Sequence, residues 1–209
     1  MNAGALADMR PGFADPVGAA QQVFRSLLQA MARPGRVQAL EPAVLQGLQP
    51  PALQRASGAA LLTLLDADTR LHLVGRLHDE AATRFLAFHT GLREAAIEEA
   101  DFVVAAAQEA VPALWERLRD GSDLAPQAGA TLIVEVPALS EDAGAGTRLR
   151  LRGPGIRTLH CLRVEGLSPA FWQARIARQA DFPRGIDLVL ACGDTLAAVP
   201  RTTQIELEA

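Results

Sequence analysis

The segment IDLVLACGDTLAAV, residues 186–199, contains two apolar runs separated by Gly193-Asp194. Each run has the length and apolar character of a buried strand. A Gly-Asp pair between two such runs is typical of a tight hairpin turn. The sequence therefore predicts strands at 186–192 and 196–199 that pair antiparallel.

Outward from this hairpin, apolar periodicity predicts helices and strands that alternate along the first half of the chain and a second half richer in strands. Asp15-Pro16 has the residues of a helix start, and Arg33-Pro34-Gly35 those of a helix stop. The pattern predicts a three-layer α/β/α domain with helices covering a mixed sheet. We assign residues 1–14 to a flexible N-terminal segment and 15–209 to a single domain. The first predicted helix begins at 16 and ends at the stop at 33–35, and the other predicted helices span 52–65, 79–89, 112–119 and 169–181. The predicted strands span 37–40, 71–74, 102–106, 131–136, 147–152, 158–164, 186–192, 196–199 and 204–207.

Composition excludes several kinds of chemistry. All twenty basic residues are arginine, and the chain contains neither lysine nor tyrosine. Without lysine there is no Schiff base to pyridoxal phosphate, no Walker-type phosphate lysine and no lysine general base. None of the five serines lies in a G-x-S-x-G motif, and the paired glycines lack the third glycine of a dinucleotide loop. We expect no cofactor.

Cysteine and histidine spacing predicts no metal site. Cys161 and Cys192 are far apart and too few for an iron–sulfur cluster, and the four histidines have no zinc-ligand spacing. The same cysteine usage favours a reducing, cytoplasmic location. The net charge of −4 with scattered arginines argues against nucleic acid as a partner. The sequence predicts no leader peptide and no membrane span.

Seven short motifs then occur in order between residues 24 and 203. They are FRSLLQAMARPG (24–35), LLTLLDADT (61–69), FHT (88–90), GATLIVEV (129–136), LRGPGI (151–156), FPRGIDLVL (182–190) and PRTT (200–203). Together they resemble the PhnH family, whose members are subunits of the bacterial carbon–phosphorus lyase core complex. Because the seven matches are collinear and span most of the chain, coincidence does not explain them.

This resemblance implies a fold similar to the large domain of pyridoxal-phosphate-dependent transferases, without the cofactor, and a homodimer. It also implies membership in a complex that converts a nucleoside triphosphate and methylphosphonate into ribose 1-methylphosphonate 5-triphosphate and free base. The family's first step is attributed to a partner subunit with its companions, and a sister subunit with an iron–sulfur cluster cleaves the carbon–phosphorus bond. The resemblance leaves this subunit's own contribution open.

The motif residues suggest a phosphonate or nucleotide ligand. Arg201, Thr202 and Thr203 combine a guanidinium fork with two hydroxyls, a grouping suited to an oxyanion. The alternative is a strand junction whose threonines are good β formers. Arg184 lies in a turn, and Asp187 enters an apolar strand, where its carboxylate needs a cation. We predict an internal pair between Asp187 and an arginine.

Four further segments each have two interpretations. His89 either closes a helix or acts as an acid and base. Asp68, with its neighbours, either forms a turn capped by its own side chains or presents carboxylates to magnesium on a triphosphate. The corners Arg33-Pro34-Gly35 and Gly153-Pro154-Gly155 are candidate interfaces, because partner chains often engage rigid loops with few side chains. The second corner could instead permit close backbone approach by a ligand. The first of these corners could instead face an anion or only end a helix.

Three functional hypotheses remain open. The leading one is a core-complex subunit that is structural or co-catalytic and inactive alone. The second is a stand-alone enzyme that binds a phosphate ester or nucleotide through Arg201, His89 and Asp68. The third is a purely structural scaffold, in which replacing Arg201 or His89 changes neither assembly nor pathway flux.

Overall fold

The computed structural model describes residues 10–208. Within these residues it contains five α-helices, three short 3-10 helices and eleven strands. The α-helices are α1 (Pro16–Ala32), α2 (Arg55–Leu64), α3 (Glu80–Thr90), α4 (Leu114–Arg117) and α5 (Pro169–Ala177). The 3-10 helices span Gly75–Leu77, Pro126–Ala128 and Arg178–Asp181. The strands are β1 (Gln38–Ala39), β2 (Arg70–Leu73), β3 (Arg93–Glu94), β4 (Phe102–Ala106), β5 (Thr131–Glu135), β6 (Leu139–Ser140), β7 (Thr147–Arg152), β8 (His160–Val164), β9 (Asp187–Cys192), β10 (Thr195–Val199) and β11 (Gln204–Glu208).

A seven-stranded mixed sheet forms the centre of the fold, in the order β1-β10-β9-β5-β4-β2-β3. The strands from β9 to β3 are parallel, whereas β10 pairs antiparallel with both β9 and β1. In the β9–β10 hairpin, Leu196 lies opposite Ala191. The predicted hairpin, the mixed sheet and the α/β class are therefore confirmed.

A second, four-stranded antiparallel sheet has the order β11-β7-β8-β6. The buried leucines of β7 and β8 share one hydrophobic cluster with β4, β5, β9 and β10 and with α4 and α5. This sheet therefore covers much of one face of the mixed sheet, and the predicted all-helical layer on that face is wrong. In β7, TRLRLR, leucines alternate with arginines, as in a sheet with one buried and one solvated face.

Side chains alternate strictly across the mixed sheet. Val104 and Ile133 face the cluster shared with α1, α2 and α3, whereas Val103 and Leu132 face the cluster on the opposite side. Because neighbouring residues of a strand point to opposite faces, an apolar run such as LIV in β5 supplies both clusters at once. The central strands are thus buried on both faces.

Local signals in the sequence explain where the helices begin and end. The Asp15 carboxylate accepts a hydrogen bond from Gly18 N (3.1 Å), and Pro16 is the first residue of α1, as predicted. Helix α3 ends at Gly91, which has a left-handed backbone with φ 74°. This conformation lets the Gly91 N–H reach the Ala87 carbonyl. The helix thus ends one residue after the predicted end at 89.

The first fourteen residues are described only in part. Residues 1–9 lie outside the described residues, so the predicted flexibility of 1–14 stays a prediction. The Arg10 carbonyl lies 3.1 Å from His89 Nε2, and Gly12 packs against the same ring. Among residues 10–208, no helix is both long and apolar enough to cross a membrane.

Candidate functional site

Arg201 and Asp187 form an ion pair at the amino-terminal edge of the parallel strands. Asp187 is the first residue of β9, and Arg201 follows the end of the antiparallel β10. Arg201 Nη2 lies 2.7 Å from Asp187 Oδ2, and Arg201 N donates to Asp187 Oδ1 at 2.8 Å. Arg201 Nη1 also donates to the Pro126 carbonyl. The predicted internal pair of Asp187 with an arginine is confirmed, and its guanidinium is largely committed to protein oxygens.

Two more arginines join this cluster from α5 and the turn after it. Arg175 is 3% exposed, and its Nη2 donates to the Pro200 carbonyl at 3.0 Å. The pKa of the Arg175 guanidinium is lowered to about 10, mainly by burial; the charge of Asp187 raises it, and the charges of Arg178 and Arg201 lower it. Arg178 pairs with Asp120. The cluster thus contains three guanidinium groups and two carboxylates, those of Asp120 and Asp187. The negative charge of Asp187 stabilises the charged form of the buried Arg175 guanidinium.

A surface cavity of about 440 Å³ lies beside the ion pair. Thr202 is exposed, whereas Thr203 is fully buried, and its Oγ1 has no hydrogen-bond partner among residues 10–208. Gln179 Nε2 donates to the Thr203 carbonyl at 3.2 Å. The structure therefore brings residues of PRTT, FPRGIDLVL and LRGPGI to one place. The cavity is lined by Pro154, Gln179, Phe182, Arg201, Thr202, Thr203, Gln204, Ile205 and Glu206.

Arg184 lies on the outer side of the same region. Its guanidinium is within 3.4 Å of an Asp123 oxygen and 3.6 Å of an Asp181 oxygen, and its side chain is 42% exposed. The following residue, Gly185, has φ 144° and packs against the Arg201 side chain. Arg184 therefore neighbours Arg201 in space but has acidic partners of its own.

His89 and Asp68 lie on other elements. His89 is in the last turn of α3 and contacts Phe85 and Phe88 edge-on at ring distances of 4.7 and 5.0 Å. Asp68 lies in the turn between α2 and β2, where Asp66 Oδ1 accepts from the backbone N–H of Asp68 at 3.0 Å. The turn is therefore capped by its own side chain. Among the described residues, neither His89 nor Asp68 forms a hydrogen bond or ion pair with Arg201.

The two glycine and proline corners meet. Gly35 has φ 81° and donates to the Ala198 carbonyl at 2.9 Å, and a Cβ on Gly155 (φ 82°) would collide with the Ala32 carbonyl oxygen. Pro34 is buried between these turns. The glycines of both corners are thus explained by close backbone packing within the chain, and an interface role for Arg33, Pro34, Gly35, Gly153, Pro154 and Gly155 stays a prediction.

The exposed side of α1 is unusually apolar. Val17, Phe24 and Leu28 are 69%, 45% and 51% exposed. Their spacing of seven and four residues places them on one face of the helix. Arg25 is the single charged residue of α1. We refer to Val17, Phe24 and Leu28 as the α1 face.

Sequence reasoning missed a buried carboxylate at the carboxyl ends of the parallel strands, opposite the Arg201 cluster. Glu135, the last residue of β5, is 3% exposed. Its Oε1 accepts from Gln54 N at 2.7 Å and from the Ser57 hydroxyl, so it caps the start of α2. Burial raises the pKa of the Glu135 carboxyl, although hydrogen bonds from Ser57 and Gln54 and the charge of Arg76 act against this. The available signal was one acid inside the apolar run LIVEV.

The raised pKa makes the effect of Glu135→Gln depend on pH. A carboxyl that binds its proton more tightly in the folded state stabilises the folded protein at pH values below its ordinary pKa. This contribution to stability is lost as the pH rises through the pKa of the folded state. Glutamine keeps an acceptor for Ser57 and Gln54 but does not ionise. We expect the free energy of unfolding of Glu135→Gln, relative to that of the original protein, to increase as the pH rises above the ordinary pKa of a glutamate; denaturant titrations at a series of pH values measure it. A difference that is constant with pH would contradict this.

The chain is similar to known bacterial proteins along nearly all of its length. Residues 11–206 match the family of bacterial phosphonate metabolism proteins (PhnH). Alpha-D-ribose 1-methylphosphonate 5-triphosphate synthase subunit PhnH of Rhizobium meliloti (strain 1021) is 41% identical over 198 residues, 94% of each chain. The putative C-P lyase subunit protein HtxG of Stutzerimonas stutzeri is 35% identical over 192 residues, 90% of this chain and 86% of that protein. The similarity spans both sheets, the Arg201 cluster and both corners.

Proposed function

The chain belongs to the PhnH family of bacterial phosphonate metabolism proteins, and from this premise we propose that it is a subunit of the carbon–phosphorus lyase core complex. In this role it supports the formation of ribose 1-methylphosphonate 5-triphosphate from a nucleoside triphosphate and methylphosphonate. The observation that carries the proposal is 41% identity to a synthase subunit over 94% of both chains. A match of that extent covers nearly the whole length of that synthase subunit.

The arrangement of polar residues supports dependence on other subunits. A stand-alone enzyme built on Arg201, His89 and Asp68 needs these side chains around one reacting centre. Arg201 instead pairs with Asp187, His89 packs between phenylalanines and Arg10, and Asp68 belongs to a surface turn. We therefore favour the complex subunit over the stand-alone enzyme. Ligand binding by Arg201, Thr202, Thr203, Arg184 and Asp187 at the 440 Å³ cavity stays a prediction.

The α1 face supports the same role. Large apolar side chains exposed on one side of a helix with one charge are typical of a surface that another protein covers. We propose that a companion subunit of the complex binds there. Apolar side chains at the centre of an interface supply much of its binding energy when they are desolvated.

The proposal also includes a fold similarity, a single domain, a homodimer and a cytoplasmic location. A similarity to the large domain of pyridoxal-phosphate-dependent transferases is supported by the mixed sheet with helices on one face. A single domain over residues 15–209 is supported by two hydrophobic clusters that share the central strands. The homodimer rests on the family resemblance. A cytoplasmic location is supported by the free cysteines Cys161 and Cys192.

Reconstitution separates the subunit from the stand-alone enzyme. The purified chain, its companion subunits without it, and the complete set are each mixed with a nucleoside triphosphate and methylphosphonate, and release of free base is measured. We expect base release from the complete set, none from the chain alone, and a lower rate when the chain is omitted. Base release by the chain alone at the rate of the complete set would establish the stand-alone enzyme instead.

A further inference from the structure

We propose that the pocket between the two glycine and proline corners is a binding site for a phosphate or phosphonate oxyanion on this chain. The pocket has a volume of about 230 Å³. This is below the range of pockets for drug-sized ligands and suits a small group such as one phosphoryl or phosphonyl unit. The proposal goes beyond subunit membership, because it assigns a ligand to the isolated chain. The lining residues are Arg33, Pro34, Arg36, Gly155, Ile156, Arg157, Thr158, Leu159 and His160.

The charge of this lining is the first argument. It contains three arginines and no carboxylate, in a chain whose net charge is −4. Glu141 approaches from one side, where its Oε1 accepts from Val37 N at 2.8 Å and its Oε2 lies 4.0 Å from Arg36 Nη1. One carboxylate thus faces three guanidinium groups. The pocket has an excess of positive charge that an anion would neutralise.

The second argument is that the donors are free. Within residues 10–208, the side chains of Arg33 and Arg157 form no hydrogen bond or ion pair, unlike Arg201, Arg178 and most other arginines of the chain. Both side chains are exposed. A guanidinium binds a tetrahedral oxyanion through two parallel N–H donors, and two such forks on one pocket can hold a single phosphoryl group.

The third argument is that the backbone holding these arginines is rigid. Arg33 and Arg36 flank the turn at Pro34-Gly35, and Arg157 follows the turn at Gly153-Pro154-Gly155. The first turn is held by the hydrogen bond from Gly35 N to the Ala198 carbonyl, and Gly155 lies directly against the carbonyl of Ala32. A site on a preformed frame loses less conformational entropy when a ligand binds.

His160 completes one wall of the pocket. It begins β8, its side chain is 17% exposed, and its Nε2 has no hydrogen-bond partner within residues 10–208. That nitrogen lies 3.5 Å from Glu141 Oε2. The histidine ring also packs against Gly35, so it fixes the arginine-bearing turn in place. We assign His160 a positioning role and the arginines the contacts with the anion.

The test is a calorimetric titration of the full chain with tripolyphosphate and, separately, with methylphosphonate. We expect saturable binding of one anion per chain. Arg157→Gln and Arg33→Gln should each weaken it about tenfold, because each removes a charge-assisted pair of hydrogen bonds. Tighter binding of tripolyphosphate would indicate the polyphosphate of a nucleotide as the ligand, and tighter binding of methylphosphonate the phosphonate.

Arg93→Gln is the matched control. Arg93 is exposed in β3, at the opposite edge of the mixed sheet from β1, and its side chain likewise forms no hydrogen bond or ion pair among the described residues. Its replacement removes the same charge and should leave the affinity unchanged. Absence of saturable binding to either anion, or an equal loss in all three variants, would overturn the proposal. Circular dichroism of each variant confirms folding, which we expect because all three arginines are exposed.

Discussion

Replacing Asp187 with alanine should lower the free energy of unfolding by about 3 kcal/mol. Removing one partner of a buried ion pair costs about 3 to 5 kcal/mol. The Arg201 and Asp187 side chains are still 15% and 19% exposed, which places the effect at the lower end of that range. The substitution also leaves buried Arg175 beside Arg178 and Arg201 without its attractive carboxylate. Urea titrations monitored by tryptophan fluorescence measure the change.

Asp123→Ala is the control for this prediction. Asp123 pairs with Arg184 at 3.4 Å, but its side chain is 79% exposed. Exposed ion pairs contribute about 0 to 1 kcal/mol, so we expect a change below about 0.5 kcal/mol. Asp187→Asn should lie between the two, since an amide oxygen still accepts from Arg201 N. Equal effects of Asp187→Ala and Asp123→Ala would show that the Arg201 cluster does not stabilise the fold.

Phe24→Asp on the α1 face should weaken binding to the companion subunits about thirtyfold or more. Truncating a buried aromatic residue at the centre of an interface typically costs about 2 kcal/mol or more. A factor of ten in affinity corresponds to about 1.4 kcal/mol, and the aspartate would add the cost of burying a charge. Because Phe24 is 45% exposed in the single chain, the variant should fold as the original does. Biolayer interferometry with immobilised companion subunits measures the affinity.

Gln22→Asp provides the comparison on the same helix. Gln22 is exposed and lies on a different side of α1 from Phe24 and Leu28, so the substitution adds the same charge outside the α1 face. Its affinity for the companions should match that of the original chain. Unchanged binding by Phe24→Asp would place the contact elsewhere on the subunit, and equally weakened binding by both variants would make the effect one of charge.

Much of the fold follows from local patterns in the sequence. Strands β4 and β7 have the predicted bounds, 102–106 and 147–152, because apolar runs and strict alternation are set by burial. The start of α1 and the end of α3 depend on Asp15 and Gly91, whose effects on the backbone are local. The two-residue edge strands β3 and β6 were not predicted, although β1, which is equally short, lies within the predicted strand 37–40.

Contacts between distant segments could not be predicted in the same way. Alternation in β7 shows that one face is buried but not which element covers it, so the separate four-stranded sheet was missed. The Asp187 pair was predicted from the cost of an unpaired carboxylate, but its partner among twenty arginines was not. Arg175 follows Phe171 by one helical turn on the same side of α5, and this apolar periodicity was the signal for its burial.

The most direct test of the central claim is native mass spectrometry of a complex purified through a tag on one companion subunit, after co-expression with this chain. We predict that the chain is retained in a fixed stoichiometric ratio to its companions. Its role as a subunit would be contradicted if the companion subunits were recovered as a complete complex without the chain, and the chain were found unbound in the flow-through.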